Sequence, residues 1–165
     1  MPTDYFISDQ HFGHNNILKY ETDTRPFESL VEMETAMIKA HNQKLLGVAS
    51  PRVFHVGDFA FKKDKLKLLR QMAGTHFLIM GNHDCFETSS YLSAGFQKIY
   101  GCLIYKGGIL SHIPVHNNEG GRFNFNIHGH LHSKIKEDTR FYKNVSCEQL
   151  PNLAPIAFDE ILFNA

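Results

Sequence analysis

The stretch HFLIMGNHD, residues 76–84, is the part of the sequence from which the fold can be inferred. Its first five residues are largely apolar, as in a strand that is buried on both faces of a parallel sheet. The apolar run stops at Gly81, and Asn82, His83 and Asp84 follow, each with a nitrogen or oxygen that can bind a metal or a substrate. Because such residues collect at the carboxyl ends of strands in open α/β sheets, we expect a functional site here.

Two earlier segments have the same arrangement. Residues 4–8 (DYFIS) and 52–56 (RVFHV) are rich in β-branched and aromatic residues and predict strands. The first runs into Asp9 and His11, and the second runs into Asp58. Polar donors thus follow three predicted strands, and we expect them to meet at one edge of a sheet.

Two helices are predicted between these strands. Residues 29–32 (SLVE) form a capping box, which opens a helix that ends near Gly47. Apolar residues on one face of residues 63–73 predict the second helix. The order strand, helix, strand, helix, strand is typical of a parallel sheet with right-handed crossovers.

The second half of the chain follows a different pattern. Short strand-like runs occur at residues 98–104, 108–111, 123–128 and 140–145, without long helices between them. A second sheet, at least partly antiparallel and packed on the first, is the simplest arrangement for them. We expect residues 1–165 to form a single mixed α+β domain.

Composition and charge exclude several classes of protein. There are 17 basic and 17 acidic residues, so the formal net charge is zero and long nucleic acid is not favoured as a partner. No apolar run approaches the roughly 20 residues of a membrane-spanning helix, so we expect no membrane partner. The N-terminus lacks a secretory signal pattern, which predicts a cytoplasmic protein. Three cysteines without a CxxC pair indicate neither a disulfide framework nor a thiolate zinc site.

Histidine is unusually frequent, with 11 residues, and several of these stand at the ends of apolar runs. The candidate metal ligands at these positions are Asp9, His11, Asp58, Asn82, His112, His130 and His132. Oxygen and nitrogen donors without thiolate suit Mn, Fe, Co, Ni or Zn at an open site. Seven donors exceed the need of one ion, so we expect two divalent ions, an arrangement that uses activated hydroxide to attack phosphoryl groups.

The linear order of these donors is DxH, GD, GNHD, H and GHxH, and it extends from residue 9 to residue 132. This order resembles the calcineurin-like metallophosphoesterases. The opening SDQHFGHN, residues 8–15, together with RPF at residues 25–27, is similar to a compact branch of small bacterial and phage phosphoesterases in that superfamily. The resemblance implies a four-layer αββα sandwich of two mixed sheets, which agrees with the two-part pattern above.

The resemblance also implies a role for each donor. Asp9, His11 and His132 would hold one ion, and Asn82, His112 and His130 would hold the other. Asp58 would bridge the two ions, with manganese as the favoured metal. His83 matches the catalytic histidine of GNHD, a general acid that protonates the leaving oxygen. Many relatives have an acidic residue or a histidine where this chain has Phe61, so the group that orients His83 is left open.

His14 and Arg25 are the candidate substrate-binding residues, because both follow the first metal motif on one loop and can donate to a phosphate. The chain is too short for an added cap domain. We therefore expect an open site, walled by residues 12–28 and 113–122, which accepts a small phosphorylated substrate.

The predicted function is that of a hydrolase, a metal-dependent phosphoesterase. Its expected substrate is a small phosphodiester such as a cyclic nucleotide or a nucleotide end, and monoesters are also considered. Two alternatives stay open. One is a non-catalytic binding or scaffold module of the same fold, against which the complete donor set argues. The other is a nuclease that acts on DNA with a partner that supplies a basic surface.

Overall fold

The computed structural model describes residues 3–116, 118 and 121–163 of the chain. The strands in this part are β1 (Asp4–Ile7), β2 (Arg52–His55), β3 (Thr75–Ile79), β4 (Phe96–Tyr100), β5 (Leu103–Tyr105), β6 (Gly108–Leu110), β7 (Asn126–His128), β8 (Tyr142–Asn144) and β9 (Ile156–Ala157). The first sheet has the order β4-β3-β2-β1-β9. Strands β1 to β4 are parallel, and β9 runs antiparallel to β1. The predicted parallel core sheet is confirmed.

The second sheet has the order β5-β6-β7-β8. Strands β5 and β6 pair antiparallel, whereas β6, β7 and β8 are parallel. The predicted second, partly antiparallel sheet is therefore confirmed, but one run assigned to it was wrong in part. The run at residues 98–104 divides between the sheets, because its first half lies in β4, which pairs with β3 in the first sheet, and only its end lies in β5.

The α-helices of the described residues are α1 (Ile17–Tyr20), α2 (Leu30–Lys44), α3 (Thr88–Ala94) and α4 (Phe158–Phe163). Helix α2 is the first predicted helix, and Ser29 caps it, since the N–H of Glu32 donates to Ser29 Oγ at 3.2 Å. The Glu32 carboxylate accepts the N–H of Glu28 at 3.0 Å and not that of Ser29, so the predicted capping box is formed on one side. In the part of the chain that the structure describes, no helix has both the length and the apolar character needed to cross a membrane.

The second predicted helix is a 3-10 helix, Lys63–Gln71, and not an α-helix. Leu66 and Leu69 are buried on it, and the buried Met72 follows directly after its end. These side chains are three residues apart, the repeat that aligns successive residues along one line of a 3-10 helix. A spacing of three is also found between neighbours on an α-helix, so the pattern alone did not separate the two.

The first sheet is buried on both faces. One apolar core contains Tyr5 and Ile7 of β1 together with residues of α2 and of the 3-10 helix. A second core lies between the two sheets and contains Phe6 of β1 and Ile127 of β7. Because successive side chains of a strand point to opposite faces, β1 serves both cores. The predicted mixed architecture of two stacked mixed sheets is thereby confirmed.

Around Val115, the outer face of the second sheet is covered by a loop and not by a helix. The N–H of Val115 donates to Asn126 Oδ1 at 2.9 Å, and its carbonyl accepts from Tyr142 Oη at 2.9 Å. The segment after His112 is thereby held against β7 and β8.

The two sheets are joined beyond the ends of β1 and β8. The N–H of Ser8 donates to Val145 O at 2.8 Å, and the N–H of Cys147 donates to Ser8 O at 3.0 Å. The chain that leaves β1 therefore runs beside the chain that leaves β8. As a result, strand ends of both sheets converge on one region.

A chain of buried histidines lies behind the loop that follows β1. Gln10 Nε2 donates to His55 Nδ1 at 2.5 Å, and His55 Nε2 lies 3.0 Å from His76 Nδ1. His76 Nε2 donates to Met72 O at 3.1 Å. Since a carbonyl only accepts, the proton of His76 is on Nε2. Each of these three hydrogen bonds is then donated in the direction from Gln10 to Met72, and both imidazoles are neutral.

Burial keeps these histidines neutral. His41 packs beside His76, with 5.7 Å between the ring centres, and its Nε2 donates to Ala73 O at 2.8 Å. Burial lowers the pKa of His41 to about 4, and it also lowers the pKa values of His55 and His76. In an unfolded chain a histidine titrates at about pH 6.5. Below that pH the unfolded chain binds protons that the folded chain excludes, so the free energy of unfolding falls with the pH.

We expect His41→Gln to reduce this pH dependence, because glutamine can still donate to Ala73 O but does not titrate. Between pH 7 and pH 5 the wild-type chain should lose about 2 kcal/mol of unfolding free energy through His41, and the variant should lack that loss. Urea denaturation at both pH values, with a chelator present, measures the difference. His116→Gln, on an exposed loop, is the control. An equal pH dependence in His41→Gln and the wild type would contradict the assignment.

Candidate metal centre

The predicted ligands lie on loops that follow strands of both sheets. Asp9 and His11 follow β1, Asp58 follows β2, and His130 and His132 follow β7. All five have positive φ angles, between 50° and 68°. Aspartate and histidine enter this left-handed region more readily than β-branched residues, and backbone strain of this kind clusters at functional sites. The bent backbone turns these side chains towards one another.

Asp9 is fully buried among the imidazoles. Its Oδ1 lies 3.6 Å from His11 Nε2 and 3.8 Å from His132 Nε2. Its Oδ2 accepts hydrogen bonds from the N–H of His130 at 2.9 Å and from Ser146 Oγ at 2.8 Å. Oδ2 thus binds the loops that contain His130 and Ser146, and Oδ1 faces the imidazole nitrogens.

Asp58 lies between two of the same imidazoles. Its Oδ2 is 3.6 Å from His11 Nε2 and 3.2 Å from His112 Nε2, and its Oδ1 accepts the N–H of His83 at 2.9 Å. Asn82 lies on the same side, because its Oδ1 is 3.1 Å from His112 Nε2. Asp58 Oδ2 thus lies between the imidazoles of His11 and His112, and Asp9 Oδ1 lies 3.6 Å and 4.0 Å from the same two nitrogens.

The structure brings all seven predicted ligands into one cluster. The ring of His130 lies 5.2 Å from that of His112, centre to centre. Two groups within the cluster have donor atoms close enough to hold an ion: Asp9, His11 and His132, and Asp9, Asp58 and His112. Asp9 belongs to both groups, and Asp58, the expected bridge, belongs to the second.

Two atoms of the candidate metal ligands, Asp9 Oδ1 and His11 Nε2, are buried and have no hydrogen-bond partner among the described residues. An unpaired buried polar atom costs about 1–3 kcal/mol, and at 3.6 Å these two atoms are too far apart to bond each other. Carboxylate, imidazole and amide donors around such atoms suit divalent transition ions. The residues present therefore fit a metal centre.

Electrostatics keep both carboxylates ionised. Burial opposes charge on Asp9, but His11, His112 and His132 outweigh it and lower the pKa of Asp9. Burial also opposes charge on Asp58, and its contact with His112 lowers the pKa. For His112 burial acts against protonation, but the two carboxylates raise its pKa to about 9. A metal ion must displace this proton, so binding at His112 becomes more favourable as the pH rises.

Hydrogen bonds behind two imidazoles turn their Nε2 atoms towards the carboxylates. His112 Nδ1 donates to Val56 O at 2.8 Å, and His132 Nδ1 donates to Glu148 Oε1 at 3.1 Å. Such partners fix the tautomer and orientation of a metal-binding histidine. Sequence reasoning missed Glu148, because no strand-end or motif spacing marks a carboxylate that acts only through another side chain.

Arg25 lies beneath the ligands and not at the surface of the cleft. Its guanidinium donates to Asp9 O at 2.5 Å, to Gln10 O at 3.1 Å and to Glu148 Oε1 at 2.7 Å. The side chain is almost completely buried, so these donors are engaged inside the protein. This placement departs from the expected phosphate contact, since a loop position does not reveal that the side chain turns inward. In the structure Arg25 is a positioning residue.

His14 lies half-buried at the edge of the cluster. Its Nδ1 is 3.0 Å from His11 Nδ1, and its ring stacks on Phe61 with 3.9 Å between centres. Burial, together with nearby His11 and His83, lowers the pKa of His14 to about 4. A neutral His14 can orient His11 but does not bring the positive charge expected of a phosphate-binding residue.

His83 is exposed beside the cluster. Its ring lies 4.4 Å from that of Phe61 and 6.0 Å from that of His11, centre to centre. Its backbone is held by the hydrogen bond to Asp58 Oδ1. His83 is thus held by packing of its ring on Phe61 and by the contact of its backbone with Asp58.

The GNHD turn supports Asp58 through its last residue. The carboxylate of Asp84 accepts the N–H groups of Asp58 at 2.8 Å and of Gly81 at 2.9 Å. A Cβ on Gly81 would overlap the Asp58 carboxylate, and a Cβ on Gly57 would overlap the His112 imidazole. Glycine is therefore required at both positions by close approach.

The expected walls of the cleft are described in part. Within residues 12–28, Tyr20 is 71% exposed and lies 6.2 Å from the His14 ring, centre to centre. Within residues 113–122, positions 117, 119 and 120 lie outside the described residues.

Known proteins resemble the chain in sequence. It is 31% identical to the uncharacterized protein MJ1445 of Methanocaldococcus jannaschii over 172 residues, which cover 96% of this chain and 88% of that protein. The chain belongs to the family of this archaeal protein. No family model matches the chain.

Solved structures of other proteins resemble this chain in fold. The protein of unknown function AQ665 from Aquifex aeolicus superposes with a TM-score of 0.72 and 26% identity, with 100% of both chains covered. The nuclease MPE of Pseudomonas putida superposes with a TM-score of 0.53 and 18% identity, over 78% of this chain and 61% of that chain. At such low identity the second likeness shows the fold alone. The expected metallophosphoesterase-like fold is thus confirmed.

We expect Asp58→Asn to lower the metal content of the purified protein. After reconstitution with Mn²⁺ and desalting, the wild type should retain about two ions per chain, and the variant should retain clearly fewer, because Asp58 Oδ2 lies close to both His11 Nε2 and His112 Nε2. Elemental analysis measures the content, and Asp64→Asn, an exposed aspartate on the 3-10 helix, is the control. An unchanged content in Asp58→Asn would contradict the bridging role.

We expect Arg25→Ala to lower the free energy of unfolding by about 3–5 kcal/mol, because the carboxylate of Glu148 would be left buried without its cation. Urea denaturation measures this loss, with the exposed Arg140→Ala as the control. If Arg25→Ala keeps the wild-type stability and instead raises KM for an anionic substrate, Arg25 contacts the substrate directly.

Proposed function

We propose that the chain is a metal-dependent phosphoesterase of the calcineurin-like type that hydrolyses phosphodiesters. The observation that carries the proposal is the pair of unpartnered donor atoms, Asp9 Oδ1 and His11 Nε2, in the described residues. A resident cation explains why ionised carboxylates and imidazoles are gathered around atoms that bond nothing else. The fold in common with nuclease MPE supports the same reading.

Two divalent transition ions would occupy the cluster. Asp9, His11 and His132 would hold one, Asn82, His112 and His130 would hold the other, and Asp58 would contact both. Ions in this arrangement stabilise charge on phosphoryl oxygens and lower the pKa of a water molecule to about 7. Oxygen and nitrogen donors without thiolate suit Mn, Fe, Co, Ni or Zn, and manganese is the metal proposed here because the resemblance to calcineurin-like phosphoesterases implies it.

The residues of the chain have separate tasks in this proposal. Glu148 and His14 hold the outer nitrogens of His132 and His11, so that each Nε2 stays directed at the centre. Arg25 holds the backbone of Asp9 from beneath. His83, exposed beside the centre, would donate a proton to the departing oxygen of the ester.

The substrate is proposed to be a small diester such as a cyclic nucleotide or a nucleotide end. Asn82 and His83 are exposed, so the centre opens to solvent on the side where a leaving group would depart. A second candidate function is nuclease activity, which the fold shared with nuclease MPE favours. Nicking of supercoiled plasmid DNA in Mn²⁺ tests this second candidate directly.

We expect His83→Ala to keep the metal content of the wild type but to lower kcat about 10²-fold or more on a cyclic nucleotide, whose alkoxide leaving group needs a proton. On bis(p-nitrophenyl) phosphate, whose leaving group needs none, the loss should be smaller. Steady-state kinetics on both substrates, with metal analysis of each preparation, make the comparison.

The control for His83→Ala is Cys85→Ala, an exposed residue on the same loop, which should retain wild-type kinetics. Equal losses on the two substrates would mean that His83 binds the phosphate and is not the acid. Absence of hydrolysis of either diester by the Mn²⁺-loaded wild type would overturn the proposed function.

A further inference from the structure

A cavity of about 900 Å³ lies apart from the metal centre. It is bounded by α2, β8, α4 and segments within residues 135–139 and 149–156, and none of the candidate metal ligands lines it. Sites for small molecules have volumes of about 300–1,000 Å³. The cavity is therefore large enough to hold a ligand of its own.

The charges around the cavity favour an anion. Lys44, Lys136 and Lys143 line it, and Glu160 is the carboxylate among its described lining residues. Glu160 is already paired with Lys44 at 2.8 Å. Within the described part of the chain, Lys136 and Lys143 form no ion pair, although Asp138 is near enough to Lys143 to favour its charge against the burial that lowers its pKa.

Both of these lysines are held in place by neutral groups. Lys143 Nζ donates to Thr139 O at 2.8 Å. Lys136 Nζ lies 4.6 Å from the centre of the Tyr142 ring. The ammonium groups are thus positioned before a ligand arrives, which lowers the entropy lost on binding.

His128 lies in the wall of the same cavity. Its Nδ1 lies 2.8 Å from Gly129 O, and because a carbonyl only accepts, Nδ1 carries the proton and donates. Its Nε2 therefore has a free lone pair, and it is buried without a partner among the described residues. The ring of His128 therefore contributes to the wall of the cavity, while its Nε2 is shielded from the cavity.

Aliphatic side chains form other parts of the wall. Leu150, Ala154 and Ile161 are buried and line the cavity. Such a surface favours a flat apolar body such as a nucleobase.

We propose that this cavity is a second binding site, which takes an organic phosphate of nucleotide size. The phosphate group meets Lys136 and Lys143, and the aliphatic wall covers the organic part of the ligand. The site is separate from the metal centre and does not depend on the proposed hydrolytic function.

The position of the cavity gives it contact with residues that support the metal centre. Asn144 and Gln149 line the cavity, and their side-chain amides donate to His132 O at 3.2 Å and 2.9 Å. A ligand in the cavity would therefore contact residues that hydrogen-bond to the backbone of His132.

The test uses adenosine 5′-monophosphate as the probe, because it combines a dianionic phosphate with a flat base. Isothermal titration calorimetry of the full chain measures binding of the probe. EDTA in the buffer removes metal ions and thereby prevents metal-dependent binding of phosphate at the centre. We expect one binding site, and weaker binding of adenosine and of inorganic phosphate, each of which lacks part of the recognised structure.

The variants Lys136→Gln and Lys143→Gln should each raise the dissociation constant for the probe at least about tenfold, the loss expected for one charge-assisted contact. Lys134→Gln is the matched control, since Lys134 is an exposed lysine of the same segment that does not line the cavity.

The proposal is overturned if the probe does not bind at millimolar concentration. It is also overturned if binding is unaffected by Lys136→Gln and Lys143→Gln but is lost in Asp58→Asn, because the anion then occupies the metal centre. Equal affinity for adenosine and its monophosphate would show that the lysines do not bind the phosphate group, and this result would also overturn the proposal.

Discussion

The guanidinium of Arg25 joins the strand ends of both sheets, and the candidate metal centre depends on this contact. On one side it binds the carbonyls of Asp9 and Gln10, which follow β1, and on the other it binds Glu148, which lies beyond β8. Glu148 in turn accepts from His132. A buried ion pair stabilises only while both partners are present, because either charge alone would be left without solvent or counter-ion. The same pair therefore sets the distance between the two loops that carry most of the donors.

The loops around the centre are strained, and the rest of the fold maintains that strain. Each left-handed residue other than glycine costs about 1–3 kcal/mol, and five of the predicted ligands have such angles. Asp84 holds the backbone of Asp58, and Ser146 holds the carboxylate of Asp9. Because these contacts determine the loop conformation, Asp9 Oδ1 and His11 Nε2 stay aimed at the same point instead of relaxing towards other partners.

Histidine has two opposite roles in this protein, and burial with its neighbours decides between them. His55 and His76 face the amide of Gln10 and the carbonyl of Met72, so both are neutral. Their hydrogen bonds connect β2, β3 and Gln10. Next to the carboxylates, His112 is held protonated until a metal competes for its nitrogen. The two systems meet at Gln10, which lies between Asp9 and His11 and donates to His55.

The sequence by itself determined the parallel sheet, the N-cap of α2 and which polar residues would meet at the strand ends, because apolar runs, helix caps and the residues at strand ends are local properties. It could not determine that Lys63–Gln71 is a 3-10 helix, since the same apolar spacing also fits an α-helix. It gave no sign of the two-residue strand β9 or of the role of Glu148. Only the tertiary structure decided that Arg25 turns inward, because its partner Glu148 is 123 residues away along the chain. Contacts between such distant residues arise only when both sheets are packed, and no local pattern records them.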